Sequence, residues 1–163
     1  MDVKTYREKA VISHLKQIRT SQEIYREITD TFAGNLDDLV SVLKTKSIPI
    51  PRIIGNPDDI TNVKEIQYDT TYVSALDSLK NLNVNVDSMI YVPFSDNKKF
   101  SIEAGEIEYQ NTKVNVVQVG TFFRDFMGPY ADLRFEKYET GYSPDNMIKF
   151  GDLNAPNLTG NWE

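Results

Sequence analysis

The run Val3-Lys-Thr-Tyr-Arg-Glu-Lys-Ala-Val-Ile-Ser-His-Leu-Lys-Gln-Ile-Arg-Thr-Ser-Gln-Glu-Ile-Tyr-Arg-Glu-Ile-Thr-Asp-Thr31 decides how the rest of the chain is read. Val11, Leu15, Ile18, Tyr25, Ile28 and, just beyond the run, Phe32 recur at helical spacing, and His14 and Ser21 fall on the same face. That is the period of an amphipathic helix. Lys9, Lys16, Arg19, Glu23, Arg26 and Glu27 fill the positions between, and neither Gly nor Pro interrupts them. At 1.5 Å per residue such a helix is roughly 43 Å long. That exceeds the width of a domain built from 163 residues, so one end is expected to project or to lead into a further segment.

Outward from this helix the signals alternate between turns and short elements. Gly34 is read as the helix stop, because it adopts a left-handed conformation without a side-chain penalty. Asn35 reads as the N-cap of a second helix, with Asp37 and Asp38 in its first turn where the helix dipole favours negative charge. Leu36, Leu39, Val40 and Leu43 give that helix its apolar face, and it should end near Lys46. Pro49 and Pro51 forbid a helix through Ile48 to Gly55, which is expected as an extended crossover or an edge strand. A polar, acidic loop over 56–62 leads to β character between Glu65 and Val73, then one or two helical turns from Ser74 to Leu82.

Met89 to Val92, ended by Pro93, is predicted as a short buried strand. Phe100, Ile102 and Ala104 alternate with polar neighbours, as do Ile107 and Tyr109 beyond Gly105. Gln110-Asn-Thr112 makes the turn, and Lys113 to Val119 returns. In the return strand Val114 and Val116 share one face and Val117 and Val119 the other, which implies a bulge or burial on both sides. Thr121 to Met127 is expected as a short apolar helix closed by Gly128-Pro129. The stretch 132–142 has no assignable pattern, Met147 to Leu153 suits a last strand, and the tail from Asn154 to Glu163 is expected to be irregular, anchored by Trp162. The predicted fold is α+β, a long N-terminal helix packed on a small antiparallel β-sheet. It forms a single domain over 1–163, with a helical spine at 1–33 and a globular part at 34–163.

Composition narrows the function classes. The net charge is −6, and residues 1–30 are nearly balanced, so the negative excess lies after Asp30. An acidic body without a basic stripe argues against nucleic acid, since phosphate binding needs clustered Lys and Arg. With no cysteine there is neither a disulfide nor a thiolate site. No stretch approaches the ~20 apolar residues of a membrane span. The polar, already helical opening fits either a cytosolic start or a chain continued from a membrane anchor lying before residue 1.

Each usual catalytic constellation lacks a part. His14 is the only histidine and sits on the helix's apolar-leaning face, where a packed or solvated ring is the simpler reading. One His without Cys leaves zinc with carboxylates, which it rarely uses alone. Asp37/Asp38 suits a helix N-terminus, and Asp58/Asp59 a solvated loop. Glu106/Glu108 shares a strand face, so a glycosidase-type pair is conceivable, but the outward face of a hairpin explains it better. Asp96-Asn97 lacks the spaced ligands of a calcium loop and precedes Lys98-Lys99, so it reads as a turn. The glycines form no phosphate-binding pattern. Asn157-Leu-Thr159 matches a glycosylation sequon. Asp69-Thr-Thr71, Asp77-Ser-Leu79 and Asp87-Ser-Met89 resemble acceptor sites of a bacterial O-glycosylation system. No catalytic, cofactor-binding or metal-binding residue is assigned, and no enzymatic activity is expected.

Lys9-Ala-Val-Ile-Ser-His-Leu-Lys-Gln-Ile-Arg-Thr-Ser-Gln-Glu-Ile-Tyr-Arg26, with Phe32-Ala-Gly-Asn-Leu-Asp-Asp-Leu39 and Leu43, resembles the region that follows the membrane segment in type IV pilins and pseudopilins. There a helix with an Ile-Arg-x-x-Gln-x-x-Tyr-like core runs into a Gly and aromatic turn and a Leu-x-x-Leu helix. The resemblance covers about a quarter of the chain. The family's cleavage site and hydrophobic anchor have no counterpart in these residues. Taken whole, with Tyr91-Val-Pro-Phe-Ser-Asp-Asn-Lys-Lys-Phe100 and Gly160-Asn-Trp-Glu163, the chain is similar to single-span bacterial envelope proteins. The resemblance implies a structural or assembly protein held outside the cytoplasm by an N-terminal anchor, working through protein partners or self-association of the long helix. A ligand- or glycan-binding module is the rival expectation, with the nine tyrosines and the Phe122–Met127 cluster supplying aromatic surface.

Overall fold

In a computed structural model, the chain is described over residues 2–54, 67–130 and 143–163. The loop at 56–62 with its Asp58/Asp59 pair, and the stretch 132–142, lie outside the described residues. The predicted spine is helix α1, Val3–Thr29. Asp2 caps it, accepting from the Thr5 N–H at 2.7 Å. Val11, Leu15 and Ile18 are fully buried, joined by Ser21, Gln22 and Ile24, while Tyr25 and Ile28 are half-buried at the edge of the core. Residues 2–10 contribute no fully buried side chain.

The helix ends earlier than Gly34. Asp30 takes the left-handed conformation, φ 68°, and its N–H bonds the Arg26 carbonyl at 2.8 Å. Aspartate tolerates this conformation locally, so the turn does not call on Gly34, which has no positive φ. What shapes the turn is Gln22. Its amide donates to the Ala33 carbonyl (3.0 Å) and accepts from the Ala33 N–H (2.8 Å) in a fully buried setting. One side chain thereby satisfies both backbone groups of a buried turn residue, which would otherwise be costly. Helix α2, Leu36–Thr45, then starts from the expected Asn35 cap, which accepts from the Asp38 N–H at 2.7 Å, and buries Leu36, Leu39 and Leu43.

The β structure forms two sheets where one was expected. Strands β1 (Ser47–Ile54) and β2 (Gln67–Ser74) pair antiparallel with each other. Helix α3, Ala75–Asn81, follows. Strands β3 (Ser101–Tyr109), β4 (Thr112–Phe122) and β5 (Met147–Gly151) make the second sheet, in the order β3-β4-β5 and antiparallel throughout. The β3–β4 register is unbroken from Ser101↔Gly120 to Tyr109↔Thr112, so the valine pattern of β4 reflects burial on both faces and not a bulge. Gly120 lies so close beneath β5 that a Cβ there would stand 2.6 Å from the Ile148 carbonyl oxygen.

Two further expectations are corrected. Met89 to Val92 is a turn, not a strand, with a single bridge, Tyr91↔Lys99. Asn85 Oδ1 accepts from the Asp87 and Ser88 N–H groups and reverses the chain locally, while Met89, Ile90 and Val92 still turn inward. Helix α4 is Phe123–Met127, because β4 continues through Phe122. The tail is tied down more than its composition suggests. Gly160 bridges Phe150, Asn161 bonds β5, and Arg19 of α1 bonds both the Leu158 carbonyl (3.1 Å) and Glu163 (2.7 Å) beneath Trp162.

Candidate functional site

The N-terminal half of α1 and the loop between α3 and β3 enclose an open depression of about 580 Å³. Arg7 and His14 line one wall, and Ser88, Tyr91, Phe94, Asp96 and Asn97 lie in the loop opposite. Short turn-forming residues explain the loop's path. Ser95 Oγ donates to the Val92 carbonyl and accepts from the Lys98 N–H, while Asp96 (φ 54°) and Asn97 (φ 68°) take left-handed conformations that such residues tolerate. Phe94 is different. A bulky residue at φ 66° costs about 1–3 kcal/mol, yet Phe94 is 48% exposed.

Side chains of α1 hold that ring in place. Arg7 sits 4.9 Å from the Phe94 ring centre and 5.5 Å from that of Tyr130, and its Nη1 donates to the Phe126 carbonyl at 2.8 Å. Tyr6, 59% exposed, packs tilted on Phe94 with ring centres 5.9 Å apart. His14 Nδ1 lies 2.9 Å from the Tyr91 carbonyl oxygen. Because a carbonyl only accepts, Nδ1 carries the proton and a neutral ring offers Nε2 as an acceptor. His14 is thus a pin between helix and loop on the wall of the depression.

Asp125 braces the loop from below. Its carboxylate accepts from Lys98 Nζ, from Thr121 Oγ1 at 2.7 Å and from the Phe122 N–H at 3.0 Å. Burial pushes this carboxyl up, but the hydrogen bonds from Lys98, Thr121 and Phe122 together with the Lys98 charge outweigh it, and the group sits below its usual 3.8. The last of these bonds closes the first turn of α4 from its third residue, the acidic half of a capping box.

The other sequence candidates scatter. Glu106 and Glu108 are exposed on β3, opposite Asn115 and Lys113 near the hairpin end. Asp37 and Asp38 occupy the first turn of α2, with Lys99 3.8 Å from Asp37. Of the Phe122–Met127 cluster, Phe123, Phe126 and Met127 are buried in the core, and Phe122 alone stays partly exposed, with the Arg124 guanidinium 4.2 Å from its ring centre. Among the described residues no group of three His, Asp or Glu side chains could hold a metal ion. Tyr6, Arg7, Phe94 and Asp125, which the structure brings to the depression and its brace, belong to no catalytic or ligand-binding motif in the sequence. Their available signals were an aromatic lying off the helix's apolar stripe and an aromatic set inside a Pro-x-Ser-Asp-Asn turn.

Along α1 the outward stripe of Lys9, Ser13, Lys16, Glu23 and Glu27 is polar, and exposed apolar side chains gather only at the N-terminal end, as Val3 (46%) and Tyr6. No helix among the described residues is long and apolar enough to cross a membrane. No family model, curated protein or solved structure matches the chain.

Proposed function

We propose that this protein is a non-enzymatic structural or assembly module of the bacterial cell envelope, the pilin- or pseudopilin-like globular part of a protein anchored through the N-terminal end of α1. The observation that carries this reading is the division of labour along one uninterrupted helix. From Val11 to Ile24 it supplies the core, whereas residues 2–10 carry no fully buried side chain and expose Val3 and Tyr6. A spine of that kind suits a protein held at one end and packed at the other. Cell fractionation with an antibody to the chain tests it. The protein is expected with membranes and in reach of protease added outside the cytoplasm, and recovery in the cytosol would sink the proposal. A photo-crosslinker at Val3 should also capture neighbours that one at Glu27 does not.

A second reading is favoured by the depression itself, where Tyr91 and Phe94 stand exposed beside His14, Ser88, Asp96 and Asn97. Flat rings next to short donors and acceptors suit a hydroxylated ring such as a glycan, whose C–H face stacks while its hydroxyls are hydrogen-bonded. Titration with a panel of oligosaccharides, followed by amide NMR, should move the signals of Tyr91, Phe94 and Asn97 together. An unchanged spectrum at millimolar sugar eliminates this reading.

A further inference from the structure

The two-stranded β1–β2 arm has one closed edge and one open edge, and the ladder's phase shows which is which. The Ala75 N–H bonds the Lys46 carbonyl at 3.2 Å, and the register continues as Ile48↔Val73, Ile50↔Thr71 and Arg52↔Asp69. Inter-strand bonds recur at every second pair, so these residues direct their N–H and C=O groups into the ladder. Those between them, Pro49 and Pro51 on β1 and Thr70 and Tyr72 on β2, direct theirs outward. On β1 both outward donors are missing, which bars another strand. On β2 both are present, and among the described residues Thr70 and Tyr72 have no backbone partner on that side.

Along the open edge the only charge is Asp69, which stands opposite Arg52 in the ladder and precedes the stretch that would pair. Thr70-Thr-Tyr-Val-Ser74 carries no charge and no proline, the usual guards of an exposed edge. It is rich in β-branched and aromatic residues. The arm also leaves Ile50 (41%), Tyr72 (70%) and Val73 (38%) exposed, and two strands alone are marginally stable in water.

We infer that β2 pairs antiparallel with β2 of a second copy of this chain, giving a four-stranded sheet across a two-fold axis. A two-fold uses the same patch on both subunits. The uncharged run then faces itself, and each outward donor meets the copy's acceptor without setting like charges together. Because Pro49 and Pro51 seal the far edges, strand addition stops at two copies. The arm therefore makes a closed dimer and cannot propagate a filament.

Sedimentation velocity on the full chain up to about 1 mM, the weak limit of specific association, should show a species of twice 18.7 kDa. Hydrogen exchange at the Thr70 and Tyr72 amides should slow as concentration rises. Tyr72→Pro removes a donor that β1 does not use, so it is expected to give a monomer whose thermal unfolding matches that of the wild type at dilutions where the wild type too is monomeric. Should that variant lose the arm, Thr70→Lys decides, since it charges the edge without altering the backbone. A wild-type monomer throughout the range, a dimer that persists in both variants, or protection of β2 only by a strand of another protein would each overturn the inference. Envelope location is tested separately by fractionation, so either idea can fail without the other.

Discussion

Gln22 owes its weight to the company it keeps: a fully buried amide whose partners are the N–H and C=O of Ala33. Truncation to alanine strands both backbone groups, and each buried group left unpaired costs about 1–3 kcal/mol. Gln22→Ala is therefore expected to lose about 2–6 kcal/mol in urea unfolding. Gln22→Glu separates hydrogen bonding from packing. The buried carboxyl has its pKa raised, so the stability of that variant is greatest in acid, below the pKa of an unfolded Glu, and falls as pH rises through the folded value. Asp125 has the opposite sign. Its folded pKa lies below 3.8, so its contribution is complete above 3.8 and is lost as pH falls through the folded value. Thermal melts of the wild type below pH 3.8 should show this loss, and Asp125→Asn should flatten that part of the profile. In the sequence Gln22 stands out only as the glutamine of the Ile-Arg-x-x-Gln-x-x-Tyr pattern, and only the fold supplied its burial and Ala33. Asp125 was less legible, since Lys98 lies 27 residues away and the aspartate stands inside an apolar run.

At the scale of elements, local chemistry predicts best where the partners are near in sequence. The α1 period, the Asn35 cap and the β3–β4 hairpin depend on residues a few positions apart, and all three form as expected. The segment 89–92 shows the limit: an apolar run fits a strand or a buried turn equally well, and the Asn85 turn decides. The end of β5 tests backbone conformation directly. Gly151 holds φ 85°, and a Cβ there would run into the Val117 carbonyl of β4. Gly151→Ala should cost about 1–3 kcal/mol from the backbone alone, with more from the clash. A melting temperature equal to the wild type's would show that β5 rearranges to accept it.

Across the whole molecule, α1 is the organising axis, and Arg19, midway along it, is where the tail closes on the spine. Its guanidinium lies 5.6 Å from the Trp162 ring centre and bonds the Leu158 carbonyl and Glu163, whose other partner is the Gly160 N–H. Arg19→Ala should free residues 154–163, read as faster limited proteolysis and hydrogen exchange there, while exchange in β3 and β4 stays unchanged. By itself, the sequence determined the α+β class, the spine and its apolar face, the second helix with its cap, and the central hairpin. Each is written in a period or a turn that neighbouring residues enforce. Only the tertiary structure decided that the strands divide into two sheets, that Phe123 and Phe126 are inside while Phe94 is held out at a strained φ, and that the tail closes on Arg19. The reason is that apolar side chains compete for one interior. Which of them win depends on how distant segments pack, and the spacing along the chain does not encode that.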